Sequence, residues 1–295
     1  MQAKNPPFIL LENVDRLLKS PASMRGRDFG IMLKVFDQNG YYVTWRVINA
    51  GEYNMPQKRR RVFIFAFKKD GKYAQKFAGK DGVDLLSSTI FNEVFPVEEI
   101  TSAEITDLTK YKDILEVSNG FDGGKFLTAG FMKDGIAYHC DITPIVEDIF
   151  TLEKVVKNAK EYIIEDKNEY AVEDEKLDKW KYLKGPKRIE RVAKTGHSYI
   201  YSEGGMAFPE KMDEPARTML TSEGTLNRSS HIIYDNELAK YRILTPVECE
   251  MIQMFPPNWT DTMPRRNRYF MMGNALVTGI IRRLEPVLKE IIENE

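Results

Sequence analysis

The chain has 295 residues, 42% of them hydrophobic, enough to bury a core and to make two domains. Its 43 basic and 44 acidic residues leave a net charge of -1, so it is not a chain that binds nucleic acid by bulk charge. The cysteines, Cys140 and Cys249, are far apart without CxxC spacing and imply no disulfide framework or zinc site, and the lack of a signal peptide or long apolar span leads us to expect a reduced cytoplasmic compartment and no membrane.

Phe8 to Leu11 is a short apolar run that reads as a buried parallel strand ending at Glu12. Phe29, Met32, Leu33 and Phe36 are spaced as on a helix over 28–37, and Asn39-Gly40 ends it. Tyr41 to Ile48 and Val62 to Phe67 are rich in β-branched and aromatic residues and read as strands. After Lys68 the pattern loosens, and a separate, smaller domain is expected. Glu153 to Trp180 is its most helical and most charged part. Thr245, Pro246 and Glu248 form the signature of a capping box with proline at the first helical position. A last amphipathic helix is expected from about Ala275 to Ile292.

Basic residues cluster at 58–61, 181–191 and 265–268. Any one cluster is ordinarily a solvated face, but a local basic face is what meets phosphate. In Gln57, Arg59 and Arg61, alternation along an extended segment puts all three side chains on one side. Arginine offers planar paired donors suited to phosphate or to a pyrimidine carbonyl. A basic strand entry facing solvent explains the pattern equally well. Glu12-Asn13-Val14 by itself fits a polar strand end, and Gly273-Asn274-Ala275 fits a turn before a helix that could bring N–H groups to a ligand.

Taken in order, Glu12-Asn13-Val14, Gln57 to Val62, Arg217-Thr218 through His231, Thr245 to Pro256 and Gly273 to Val277 resemble the second half of a DNA cytosine-5 methyltransferase. The resemblance implies an α/β fold, with a partial Rossmann-like methyltransferase sheet plus a smaller mixed target-recognition domain. It implies a catalytic part over 1–70, target recognition over 71–240, and a capped helix and closing helix over 241–295. It gives Glu12 the role of acid at N3 of a flipped cytosine and reader of its exocyclic amine. Arg59 and Arg61 would hold the base and its flanking phosphates, and all three are the expected catalytic set. Asn13, Gln57, Arg217 and Thr218 are the expected DNA contacts. Asn274, Ala275 and Leu276 would line part of the S-adenosyl-L-methionine pocket, and double-stranded DNA would be the partner.

The family's nucleophilic Pro-Cys and its glycine-rich cofactor loop have no counterpart here. Cys140 follows His139 and Cys249 follows Glu248, so neither matches. We therefore expect a C-terminal portion or subunit, inactive alone, whose S-adenosylmethionine site is incomplete until an N-terminal segment or partner chain joins it. A catalytically silent DNA-binding or truncated product is the alternative. Asn5-Pro6-Pro7-Phe8 resembles the tetrapeptide of adenine-N6 methyltransferases, but it precedes its strand instead of following one. Phe77 to Gly82 resembles the cofactor loop but lacks a following Pro-Cys, and we read it as a loop.

Overall fold

The computed structural model describes residue 1, residues 3–193 and residues 195–295. The chain forms two compact units: residues 1–53, 60–147 and 280–295 make the first, and residues 54–59 and 148–279 the second.

The first unit runs β1 (Phe8–Val14), α1 (Arg27–Gln38), β2 (Tyr41–Asn49), β3 (Arg60–Lys68), the short helices α2 (Lys72–Gln75), α3 (Gly82–Ser87) and α4 (Ile90–Val94), then β4 (Val97–Asp107), α5 (Ile114–Gly120), β5 (Ala129–Lys133) and β6 (Ile136–Pro144). Its six strands form one sheet in the order β1-β3-β2-β5-β6-β4, antiparallel at every pairing. β2 and β3 are buried along almost their whole length, which fits their β-branched and aromatic content without alternation, and the polar Thr44 and Arg46 of β2 are buried with them. α1 lays Phe29, Leu33 and Phe36 into a core with Val43, Trp45, Val62 and Ile64. Phe29 meets Trp45 edge-on with ring centroids 5.1 Å apart. At Gly130 a Cβ would stand 2.1 Å from the Trp45 indole, so only glycine lets β5 pass beneath that ring.

The second unit runs α6 (Leu152–Ala159), α7 (Asp174–Lys184), β7 (Lys187–Val192), β8 (Ser198–Glu203), β9 (Ile232–Asp235), β10 (Lys240–Ile243), α8 (Pro246–Ile252) and α9 (Arg265–Asn274). β7–β8 and β9–β10 are separate two-stranded ribbons. α8 has the expected capping box. The Glu248 amide donates to the Thr245 hydroxyl at 3.2 Å, and the Thr245 amide donates to the Glu248 carboxylate at 2.7 Å. The same carboxylate takes a two-pronged bond from buried Arg242, at 2.8 and 2.7 Å, while the Arg242 Nε donates to Asp235 at 2.7 Å. The unit's apolar core includes Leu152, Val155, Met219, Ile233, Leu244 and Ile252. The last helix, α10 (Thr278–Glu293), enters the first unit from Ile280 onward.

The fold is α/β, as expected, but three local readings differ. β1 is neither parallel nor fully buried: it pairs antiparallel with β3 as an edge strand, and Leu11, Asn13 and Val14 are exposed. A run of four apolar residues does not reveal strand direction, because direction is set by distant pairing. Residues 97–144 do not fold apart from the first strands. β5 pairs with β2 and extends the same sheet, so the units do not divide at residue 70. Gly273 and Asn274 end α9 instead of opening a helix, and α10 starts at Thr278.

Candidate active site

Glu12 and Arg61 meet on the first unit's edge strand pair. In register, Glu12 faces Phe63 and Val14 faces Arg61, so the two charged residues are diagonal neighbours on one face. The Arg61 Nε lies 3.0 Å from the Glu12 carboxylate. The Asn13 carboxamide oxygen accepts the amide of the next residue, Val14, at 2.8 Å. Glu12 therefore stands at the carboxyl end of β1, partly exposed and with one oriented cation against it. Arg60, the next residue back on β3, points elsewhere and donates to Asp15 at 3.4 Å.

The alternation over 57–61 is real: Gln57 and Arg59 are buried, Lys58 and Arg60 are exposed. Their surroundings differ from the expectation, however. Gln57 and Arg59 belong to the second unit and Arg61 to the first. The Arg59 guanidinium donates to the carbonyls of Met219 at 2.9 Å and Gly273 at 3.0 Å. The Gln57 backbone bridges to Ala216, and its buried Nε2 has no hydrogen-bond partner among the described residues. Thr218 donates its hydroxyl to the Lys58 carbonyl at 2.6 Å. Arg217 grips buried Glu210 with two bonds of 2.8 and 2.6 Å. Burial raises the Glu210 carboxyl, but Arg217, His231 and Lys184 outweigh it and hold the group below its usual range. In this conformation Gln57, Arg59, Arg217 and Thr218 tie segment 54–59 to segment 216–219 inside the second unit. Sequence reasoning missed Glu210, which no local pattern marks; Glu223 and His231 lie in the stretch that carries the resemblance, but the sequence did not show that they pair, the Glu223 carboxylate 2.8 Å from the imidazole Nδ1.

The two thiols are poor nucleophiles. Burial, with Asp141 alongside, pushes the Cys140 thiol up to about 11, and complete burial raises Cys249 well above its usual value. Both are free cysteines inside packed elements, β6 and α8.

The profile of the C-5 cytosine-specific DNA methylase family matches residues 1–291. The Type II methyltransferase M.Sau3AI of Staphylococcus aureus is 43% identical over 97% of this chain and 68% of its own length. M.Bsp6I of Bacillus sp. is 22% identical over 98% of this chain and also 68% of its own length. The Dnmt2 methyltransferase of S. pombe shares the fold, with a TM-score of 0.52 at 15% identity over 97% of this chain and 67% of that one. The chain belongs to the C-5 cytosine-specific DNA methylase family. Among the described residues no helix is long and apolar enough to cross a membrane.

The family's methyl donor is S-adenosylmethionine, and the segment expected to meet it fits only in part. The Ala275 amide is already engaged with the Met271 carbonyl at 2.9 Å, and the Asn274 Nδ2 donates to Phe270 at 3.2 Å. An exposed amide oxygen and the two apolar residues Ala275 and Leu276 can form one wall. They offer neither a carboxylate for a ribose nor a glycine cradle. The motif glycine has a packing reason instead. A Cβ on Gly273 would lie 2.4 Å from the backbone of Leu220 and Thr221.

Proposed function

We propose that the chain supplies the base-reading acid and the DNA-recognising part of a cytosine-5 DNA methyltransferase, and that the attacking thiolate comes from outside these 295 residues. The observation that carries this reading is the Glu12–Arg61 pair, 3.0 Å apart at the carboxyl end of β1.

C5 of cytosine is a weak nucleophile. Addition of a thiolate to C6 forms a C–S bond and moves an electron pair toward C5, while charge builds on the ring at N3. A group that donates a hydrogen bond or a proton at N3 offsets that charge; the donor, when bound, would supply the methyl group to C5 and keep the electron pair of the broken S–C bond, and loss of the C5 proton to water or a base with expulsion of the thiolate from C6 would restore the ring. Glu12 is that group, and its other oxygen accepts from the exocyclic amine. Arg61 fixes the carboxyl rotamer and, as a five-donor planar cation, reaches toward the base carbonyl or its phosphate. The base must leave the duplex stack to meet either residue. Gln57, Arg59, Arg217 and Thr218 act at one remove, by holding the recognition unit's backbone. Asn274 to Leu276 line one side of the donor pocket.

Buried, protonated Cys140 and Cys249 favour the view that this chain transfers no methyl group alone, and they equally suit a silent DNA-binding product. The test is methyl transfer to duplex DNA by the chain joined to a polypeptide bearing the family's Pro-Cys and glycine-rich loop. In that complex Glu12→Gln should lower turnover about 100-fold or more with DNA binding kept. Unchanged turnover would remove Glu12 from the chemistry, and no transfer under any pairing would leave the binding module.

A further inference from the structure

Directly after β1 the chain makes a short 3₁₀ helix, Asp15–Lys19, and a loop to α1. Side chains three apart eclipse on such a helix, so Arg16 and Lys19 share one side. Leu18 leaves the other side for the core. With Arg25 from the loop, these cations line a concavity of about 550 Å³ whose remaining walls include Ser20, Pro21 and Asp15.

Two features distinguish this cluster from an ordinary solvated face. First, the cations are unspent. Arg16, Lys19 and Arg25 are exposed and make no side-chain hydrogen bond or ion pair among the described residues. Neighbouring cations do find partners: Arg27 pairs with Asp28 at 3.2 Å, and Arg60 takes up Asp15, the one carboxylate in the wall, at 3.4 Å. Second, the frame that holds them is fixed. The Ser20 hydroxyl donates to Asp28 at 2.6 Å, the Asp28 amide donates to the Ser20 carbonyl at 3.1 Å, and the Phe126 amide donates to the Leu18 carbonyl at 2.9 Å. Gly26 closes the loop at a φ of +87°, where a Cβ would stand 1.9 Å from the Gly124 carbonyl oxygen.

We infer that this concavity is a phosphodiester clamp, in which Arg16, Lys19 and Arg25 hold the DNA backbone beside the cytosine that Glu12 reads. The inference rests on the proposed DNA role of the Glu12 site. Arg16 and Lys19 follow Glu12 by four and seven residues on one continuous segment, so a backbone held here belongs to the nucleotides next to the reacting base. The ligand chemistry is a phosphate diester recognised as charge, with no base contact. The clamp therefore sets affinity and position but not sequence preference.

The test is the affinity of the full chain for a fluorescent duplex across a KCl series, with circular dichroism as the folding check. Each phosphate contact contributes roughly 0.9 to the slope of log affinity against log salt. The triple variant R16Q/K19Q/R25Q should lower that slope by about 2 to 3, and R16K/R25K, which keeps the charge, should leave it near the parent value. The variant should weaken all duplex sequences alike. A slope unchanged in the folded triple variant overturns the clamp while leaving the Glu12 chemistry standing, because that chemistry is read separately from turnover of Glu12→Gln. A parent chain that binds no duplex at low salt overturns it as well. Inorganic phosphate at constant ionic strength separates the remaining source: if it competes through these residues while the duplex slope stays unchanged, the site takes free phosphate and the clamp is again overturned.

Discussion

Arg61 reaches Glu12 diagonally across the β1–β3 pair, its Nε 3.0 Å from the carboxylate, although its partner in register is Val14. The side chains are 16% and 29% exposed, so the ion pair lies near the surface and contributes about 0.2–1 kcal/mol to stability. In the proposed function its importance is positional. Arg61→Met should leave the melting temperature within a few degrees and still lower turnover of the completed enzyme by tenfold or more. A large melting shift with turnover per folded molecule unchanged would make the pair purely structural.

His139 provides a pH signature for the first unit. It is fully buried, the Leu127 amide donates to its Nδ1 at 3.3 Å, and its Nε2–H therefore donates to Thr106 at 2.9 Å. Both nitrogens are committed to the neutral tautomer. Burial drives its pKa down to about 4, against a smaller opposing pull from Asp141. The unfolded chain therefore binds the proton first as pH falls. Stability is complete above the unfolded value near 6.5, declines from there to about 4, and stays low below it. The loss is about 3 kcal/mol at most for a shift of this size. Denaturant titrations of His139→Gln should lack this slope, and a parent slope that survives the substitution would point elsewhere.

The second unit should depend on Arg242 more than on any surface pair. Burial opposes its charge, but Glu248 and Asp235 outweigh burial and keep the guanidinium protonated. Arg242→Met leaves both carboxylates buried without their cation, a loss of about 3–5 kcal/mol. Thermal unfolding of the variant should show it, and a change below about 1 kcal/mol would mean that water reaches the site.

Gly273→Ala tests whether the Gly-Asn-Ala motif serves packing. The added methyl would meet the Leu220–Thr221 backbone at 2.4 Å and disturb the carbonyl that receives Arg59. A destabilisation of about 1–3 kcal/mol is expected. Unchanged stability with weakened donor binding would assign the glycine to the cofactor instead.

The thiols should stay silent. With Cys140 and Cys249 both buried, a thiol reagent should label neither in the native chain and both after unfolding. Cys249→Ala should retain turnover in the completed enzyme. Rapid native labelling of either would reopen it as the nucleophile.

Features written in local sequence were legible. The helix over 28–37 appears as Arg27–Gln38, the two strands as Tyr41–Asn49 and Arg60–Lys68, and the Thr245–Glu248 cap as expected. Each depends on periodicity or on residues within one turn. What depends on distant pairing was not legible. Nothing in Phe8 to Leu11 shows that β3 lies antiparallel beside it, and nothing in 97–144 shows that these strands extend the first sheet. At the site, alternation matches the burial of Gln57 and Arg59 between exposed Lys58 and Arg60, but it could not show that the chain changes units between Arg59 and Arg61. The reading of Glu248 as a cap was right and still missed that the same carboxylate neutralises Arg242.

The most direct measurement is transfer of a labelled methyl group from S-adenosylmethionine to duplex DNA, read for the chain alone, for the chain with a polypeptide carrying Pro-Cys and the cofactor loop, and for that complex with Glu12→Gln. We expect no transfer from the chain alone, transfer to cytosine C5 in the complex, and a fall of about 100-fold or more with Glu12→Gln. Transfer by the chain alone, or full activity without the Glu12 carboxyl, would contradict the proposed division of the active site.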